Sequence, residues 1–501
     1  MELESRVPWF LMEPGSSKNA FFVGGSSSEK VSIDKDIISN LHDSIIYHIL
    51  SFLDMKYVVQ TCVLSKRWEN MWKTVPNLNF KYVNFPLFRK DRIRFGFMDF
   101  VDMVMYHRGM FKMKSFKIGC GWCCNPLRVN SWLLNAINSK VEEVHISVDM
   151  MRSSGMPLCL YSCVTLRILK LENDFNLLVT PEDFYLPNLK SLHLVAVVLS
   201  EKLIADVFDK CPVLETLIFE RCLFNHIRVL SISSLVLKTL VIKPEKTPCY
   251  LHGCRINISA PNLISFMCRD FVTRNYYLEN LFSLEKAHVD LRIEDTYVCE
   301  AQELPDERRE EYAQRMIRCL SSVQKAKTII ISPSLFEIVS EYPRTLHQLA
   351  ASFVNLTTLR IQAWLYRNCL WGIVCILKNS PCIEVLILDV VEKNCVSYQN
   401  YQFLVQEMLD GNLPEDYEDE LRVQYPLRHL KHIEIRWLQG CISEFKLLQF
   451  LLRNAASLKV LKLTATQRRR AKTEETIARF YDKLKAFSPA SPELQVSFSM
   501  D

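Results

Sequence analysis

The run Cys120-Gly121-Trp122-Cys123-Cys124 contains a Cys-x-x-Cys pair. At that spacing two thiolates can grip one metal ion or form a redox couple. A structural zinc needs four ligands, usually from two such pairs, and no second Cys-x-x-Cys occurs; Cys159 and Cys163 are the nearest candidates. A redox role needs a thioredoxin-type setting, which is absent. There is no Gly-x-Ser-x-Gly elbow, no His-Glu-x-x-His and no Gly-x-x-x-x-Gly-Lys loop. The eleven histidines are scattered, and His193 and His226 read as surface or core residues. Arg468-Arg469-Arg470-Ala471-Lys472 has the composition of a nuclear localisation signal but reads better as a solvated helix end. The expectation is a chain without catalytic residue, metal or cofactor, whose chemistry is binding.

Composition agrees with that expectation. At 501 residues the chain is long enough for about three domains of ~150 residues, or fewer if one is a repeat array. Hydrophobic residues are 49% and charged residues 23%, which suits a sizeable core. Glycine is scarce, twelve residues or about 2.4% against a usual ~7%. Folds that cradle phosphates on glycine-rich loops are disfavoured by that scarcity. The balance of 61 basic to 56 acidic residues is too even to imply nucleic-acid binding. No run of about 18 apolar residues exists to span a membrane. Met1–Gly15 lacks the basic-then-apolar layout of a secretion signal. The expected location is therefore intracellular, with nucleus and cytoplasm undivided. There the eighteen cysteines read as small core residues rather than disulfides.

The elements that position the binding surfaces fall into blocks. Residues 1–33, with Gly15-Ser16-Ser17 and Gly24-Gly25-Ser26-Ser27-Ser28, read as a flexible leader. Residues 34–80 read as a three-helix module. Leu41, Ile45, Ile46, Ile49, Leu50 and Leu53 recur at helical spacing, and Asp43–Leu53 reads as one amphipathic helix. A second helix is expected near Met55–Cys62. A third opens at Ser65 as N-cap, runs through Trp68 to Trp72, and is stopped by Pro76. So few residues make a marginal core, so either the rest of the chain or a partner must cover the apolar excess.

Two blocks in this module carry a resemblance. Ile37–Leu53, and Val63-Leu64-Ser65-Lys66-Arg67-Trp68 followed by Met71-Trp72 and Val75-Pro76-Asn77-Leu78, resemble the start and end of a plant F-box, in order and at the right separation. The chain departs from the family at His42, where Leu-Pro is usual; that proline sets the lead-in to the first helix and contributes to the adaptor surface.

Beyond residue 80 the pattern apolar-x-x-apolar-x-apolar recurs. Leu166-Leu169-Leu171, Leu189-Leu192-Leu194, Leu214-Leu217-Phe219, Leu237-Leu240-Ile242 and Leu263-Phe266-Cys268 start 23, 25, 23 and 26 residues apart. Val141-Val144-Ile146 precedes them; Leu356-Leu359-Ile361, Ile383-Leu386-Leu388, Leu430-Ile433-Ile435 and Leu458-Leu461-Leu463 follow. Pro187, Pro212, Pro261 and Pro381 each sit two residues ahead of a repeat, where proline ends a helix and pushes its neighbour into extended geometry. Glu201–Cys211 reads as one intervening helix. The asparagine of a regular repeat is mostly missing, only Cys222 filling it. The array, residues 81–410, resembles the degenerate leucine-rich repeats of plant F-box proteins. A charged helical stretch at 295–322 and an acidic loop or linker at 411–426 interrupt it. Residues 427–501, with Leu427–Trp437, a helix at Glu444–Asn454 and a strand at Ala455–Leu463, resemble the FBD segment of that family and are expected to cap the solenoid.

The fold class expected is therefore α/β: a three-helix F-box, an irregular leucine-rich-repeat solenoid with a curved parallel sheet, and a C-terminal FBD cap. The resemblance implies a substrate receptor of an SCF (Skp–cullin–F-box) ubiquitin ligase. Its F-box would dock a Skp-type adaptor, and through it a cullin, using Leu41, Ile45, Ile46, Ile49, Leu50, Leu53 and Trp68, some of which must also hold the module's own core. The solenoid would hold a target protein. Side chains alternate along a strand, so the horseshoe's inner face would carry Ile168, Ile218, Val241, Met267, Arg360 and Ile387, more apolar than a merely solvated face requires. The competing reading is a leucine-rich-repeat scaffold that binds no adaptor. Neither membrane nor nucleic acid is an expected partner.

Overall fold

The computed structural model describes residues 41–85, 90–120, 124–148, 158–177, 181–182, 184–224, 227–244, 254–292, 306–342, 353–363, 369–391, 425–465 and 471–500. They form two units, Met1–Val197 with Lys210–Pro212, and Val198–Asp209 with Val213–Asp501. The leader and most of the acidic loop lie outside the described residues, as does the arginine run 468–470.

The first unit opens with helices α1 (Asp43–Leu50) and α2 (Met55–Gln60). A 3-10 turn (Thr61–Val63), a second one (Trp68–Asn70) and the single-turn helix α3 (Met71–Thr74) follow. Three expectations are corrected here. The first helix stops at Leu50, because beyond Ser51 the bonds tighten to three residues back, Phe52 N–H to Ile49 and Leu53 N–H to Leu50, in a turn. The second ends at Gln60. The third does not run from Ser65 to Trp72; the Ser65 carbonyl takes Trp68 N–H in a turn, and only Met71–Thr74 is α-helical. Ile46, Leu50, Met55, Val58, Val59, Trp68, Met71 and Trp72 are buried and form the module's core.

Strand β1 (Asn77–Lys81) follows at once, so Asn77 and Leu78, expected in the tail of the module, begin a sheet. Then come α4 (Lys90–Arg108), β2 (Ser115–Cys120), α5 (Pro126–Asn138), β3 (Glu143–Val148), β4 (Ile168–Leu177) and β5 (Ser191–Val198), with the strands side by side in that order. β1 to β4 pair in parallel. Helix α5 shows why a return limb forms where it does: Asn125 caps it by accepting from Leu127 N–H at 2.9 Å, Pro126 opens the first turn, and Val129, Trp132, Leu133 and Ala136 are buried. Trp132 Nε1 donates to Asp102 Oδ1 of α4 at 2.6 Å. Cys120 is disulfide-bonded to Cys124, which corrects the expectation that no cysteine is paired. The other described cysteines are free, and most are buried.

In the second unit a helix (Glu201–Lys210) precedes a parallel ladder. Its strands in spatial order are β6 (Thr216–Cys222), β8 (Thr239–Pro244), β10 (Ser265–Phe271), β12 (Lys286–Arg292), β13 (Thr328–Ile331), β14 (Thr358–Ala363), β15 (Val385–Val390), β16 (His432–Leu438), β17 (Val460–Ala465) and β18 (Gln495–Met500). Parallel neighbours require a crossover between each pair. Helices Asp306–Ser322, Pro333–Glu341, Cys369–Lys378, Ile442–Asn454 and Ala471–Lys485 supply some of these. Elsewhere the return limbs are themselves strands: β7 (Val229–Ser233), β9 (Arg255–Ser259) and β11 (Asn275–Glu279) pair into a second, three-stranded parallel sheet. The FBD-like segment continues the same ladder as its last rungs, and Val496 and Met500 of β18 remain exposed.

One device repeats along both units. Before most strands of the long ladders, one carbonyl accepts two successive amides of the next rung: Glu142 O from Arg167 and Ile168, Lys238 O from Ile264 and Ser265, Glu285 O from Lys327 and Thr328, Glu384 O from Lys431 and His432. Asn188 and Asn262 reinforce it, each donating from Nδ2 to the carbonyl of the preceding turn at 2.7 Å. The prolines at 187, 212, 261 and 381 each open the turn before a strand, as expected. The three apolar positions of every repeat read from the sequence are buried, and they make the core.

The helix within 295–322 is not simply solvated. Its described span starts at Asp306, and Tyr312, Ala313, Met316, Ile317, Cys319 and Leu320 are buried. Arg315 donates to the carbonyls of Val272 and Thr273, at 3.2 and 2.7 Å.

In the FBD segment Glu444 is fully buried at the start of its helix. Its carboxylate accepts the N–H groups of Gln439, Gly440 and Cys441 at 2.7–3.2 Å. Burial nonetheless pushes its pKa up, to about 7. A carboxyl raised in the folded state favours folding below its unfolded value and loses that contribution as pH rises through the folded value. Stability of this segment should fall by about 3 kcal/mol between pH 4.5 and pH 8. Glu444→Gln should flatten the decline, read as amide exchange of 442–454 against pH; an unchanged slope would contradict it.

Candidate protein-binding surfaces

The structure divides the seven apolar residues of the first module. Ile46, Leu50 and Trp68 are buried in its core, the role that some of the seven were expected to fill. Leu41 and Leu53 are half-buried. Ile45 and Ile49 are 47% and 42% exposed, one helical turn apart on α1, and Phe52, just past the helix, is 76% exposed. The Phe52 ring stands edge-on to His48 at 5.0 Å. Tyr57, Val63 and Leu64 add further exposed apolar side chains. Sequence reasoning missed Phe52, Tyr57, Val63 and Leu64 as candidates, although their density in so short a segment was visible.

His42 replaces what the family's proline does by another route. Its φ of −64° is the angle proline would impose, and its ring accepts from Ser44 N–H at 3.3 Å as an N-cap. His42→Pro should therefore change stability by less than about 1 kcal/mol, the lost cap being offset by a stiffer unfolded chain. Urea unfolding checks this, and a much larger loss would show that the cap dominates.

On the sheets, the outward positions named from sequence lie where alternation puts them. Ile168 is on β4 of the first unit, beside Glu143 of β3. Glu143 bonds His145 and Lys117, each at 2.9 Å, and these contacts, His145 first, hold its pKa near 2. The other five share one rung of the second unit. Its register reads Ile218, Val241, Met267, His288, Ile330, Arg360, Ile387, Glu434 and Lys462. All but Lys462 are half-buried. The sequence search found neither β12 nor β13, so His288 and Ile330 were missed.

The next rung is ionic. Asp389, fully buried, accepts from Arg360 Nε at 2.6 Å and faces Arg436 at 3.6 Å. Arg436 and Lys462 meet Glu434 at 2.9 and 3.0 Å. Arg269 and Arg292 share Asp290, at 3.0 and 2.8 Å. Burial, helped by Arg269, Lys243 and Arg360, pulls the His288 pKa down against the opposing pull of Asp290. At β16 the register shifts, and Trp437 takes φ +60° with its side chain exposed. Among the described residues no group of three His, Cys, Asp or Glu is placed to hold a metal, and no helix is long and apolar enough to cross a membrane.

A helical module followed by a parallel ladder with alternating apolar positions is the architecture expected of an F-box protein with leucine-rich repeats. Family comparison agrees: residues 38–80 match the F-box domain, 129–290 the LRR repeats of FBD-associated F-box protein At5g56370, and 423–463 the FBD. The F-box protein At3g03040 of Arabidopsis thaliana is 30% identical over 367 residues, covering 71% of this chain and 76% of its own. The Arabidopsis thaliana F-box/FBD/LRR-repeat protein At1g78750 is 28% identical over 446 residues, covering 87% and 91%. A solved LRR protein of Leptospira interrogans covers 84% of this chain and 95% of its own at 12% identity with a TM-score of 0.26, too loose a likeness to weigh. The chain belongs to the F-box/FBD/LRR-repeat family that these Arabidopsis proteins represent.

Proposed function

We propose that the protein is the substrate-recognition subunit of an SCF ubiquitin ligase. The module of residues 34–80 docks a Skp-type adaptor and through it a cullin, and the open face of the repeats holds a target protein. Its action is positioning: a target kept beside a conjugating enzyme reacts as if intramolecular, which needs no catalytic residue here.

The observation that carries this reading is the surplus of exposed apolar side chains on a module whose core is already closed. Ile45, Ile49 and Phe52 follow one another on one side of α1 and its exit, while Ile46 and Leu50 fill the interior. Soluble surfaces seldom concentrate apolar groups so densely unless a partner covers them. Leu41 and Leu53 flank the strip. Co-purification of the full-length chain with a recombinant plant Skp-type adaptor tests the reading, and failure to bind would favour the scaffold alternative.

A further inference from the structure

We propose that the open face of the second unit's ladder, from β8 to β14, binds an extended acidic segment of the target protein. Its carboxylates would meet Lys243, Arg269, Arg292 and Arg360, and its apolar side chains would lie on Met267 and Ile330. The inference rests on the reading that this face holds the target, and it specifies the target's chemistry.

The charge arrangement is layered. Asp290 and Asp389 are buried beneath the arginines they bind: the Asp290 side chain is 4% exposed, whereas Arg269 above it is 45% exposed. Guanidinium groups therefore form the outer layer, held in place by acids that a partner cannot reach. Counting outward across the two central rungs and Arg292, six cations (Lys243, Arg269, Arg292, Arg360, Arg436, Lys462) face four carboxylates (Glu220, Asp290, Asp389, Glu434). Lys243 makes no ion pair among the described residues and is half-buried. His288 lies among these cations with its Nε2 buried and without a hydrogen-bond partner. A carboxylate arriving here finds preoriented donors and unneutralised charge; an ammonium group finds the opposite.

The spacing suits a peptide. Strands lie ~4.8 Å apart, so the four steps from β8 to β14 span ~19 Å, which an extended chain crosses in about six residues. Every second side chain of such a chain would point down onto the ladder, where the apolar and ionic rungs lie side by side.

The test is selection of random twelve-residue displayed peptides on the full-length chain, with affinities of the enriched peptides measured by fluorescence anisotropy. Enriched peptides should carry a mean net charge of −3 or lower. Their affinity should fall at least tenfold for the Lys243→Glu/Arg269→Glu double variant, in which Arg292 still holds Asp290. Enrichment of neutral or basic peptides, or acidic peptides that bind the double variant unchanged, overturns the proposal. If neutral peptides are enriched and Met267→Asp abolishes them, the face is a binding site but its chemistry is not acidic. If no peptide competes for this face in either form, the underlying reading of the face fails as well. Equal affinity for a twenty-nucleotide single-stranded RNA also overturns the proposal, since the face would then select any polyanion.

Discussion

Ile49→Asp should abolish capture of the proposed Skp-type adaptor while the chain stays folded. Ile49 is the middle residue of the exposed strip, with Ile45 one turn before it and Phe52 just after. Burying one such aliphatic side chain is worth about 1.5–3 kcal/mol, and forcing a carboxylate into the same contact costs several more. A loss of about 3 kcal/mol already weakens binding more than a hundredfold, enough to empty a pull-down. The folded module should not register the change, because its core is built from Ile46, Leu50, Val58 and Trp68. Trp68→Ala should do the reverse, costing about 3–5 kcal/mol of stability. Adaptor pull-down and urea unfolding, run on both variants, separate the two roles. Retained capture by a folded Ile49→Asp chain would remove α1 from the docking surface.

Arg108→Ala should unpin the end of the helical module from the turn between α4 and β2. Arg108 closes α4 and is almost wholly buried. Its guanidinium donates to the carbonyls of Lys73, just inside α3, of Val75, just past it, and of Lys112, ahead of β2. Burial lowers its pKa to about 10, so it stays charged at neutral pH. Three carbonyls from two segments, 73–75 and Lys112, thus converge on one cation. Without it they are left unpaired in a dry site, and breaking a buried charged contact of this kind should cost about 3–5 kcal/mol. Arg108→Lys should recover only part, since an ammonium group lacks the planar fork. Hydrogen exchange should show residues 71–81 and 97–108 loosening together. Wild-type protection across both segments would mean that packing alone joins them.

How far the sequence reached follows from what each signal requires. The repeat strands were legible because a stacked ladder buries the same three positions at every rung, as at Leu189-Leu192-Leu194 or Leu237-Leu240-Ile242. Proline marks at 187, 212, 261 and 381 gave the phase. β2, β12 and β13 lacked such a mark. Met113-Phe116-Ile118, Leu284-Ala287-Val289 and Ala326-Ile329-Ile331 have the same spacing, but two of them use alanine at a buried position and so look weak in a chain with so many apolar residues. The second sheet was invisible for another reason: β7, β9 and β11 occupy return limbs where a helix was the default. In the first module, periodicity gave one apolar face but could not divide it. Ile45 and Ile46 are adjacent and chemically alike, and only packing sends one inward and the other out. The ionic rung was hidden because its members, such as Arg360 and Asp389, are far apart in sequence and meet only through register.

The paired-amide clamp ahead of most ladder strands has a consequence for how such chains vary. Because a rung is anchored where it begins, the length of the excursion that leads back to the next anchor is unconstrained. Between β15 and β16 the chain takes its long acidic detour, yet Val385 still meets His432 in step. Sequence drift in the excursions can therefore be absorbed one coil at a time, leaving the grip surface aligned while the periodicity that would reveal it to a reader of the chain wears away.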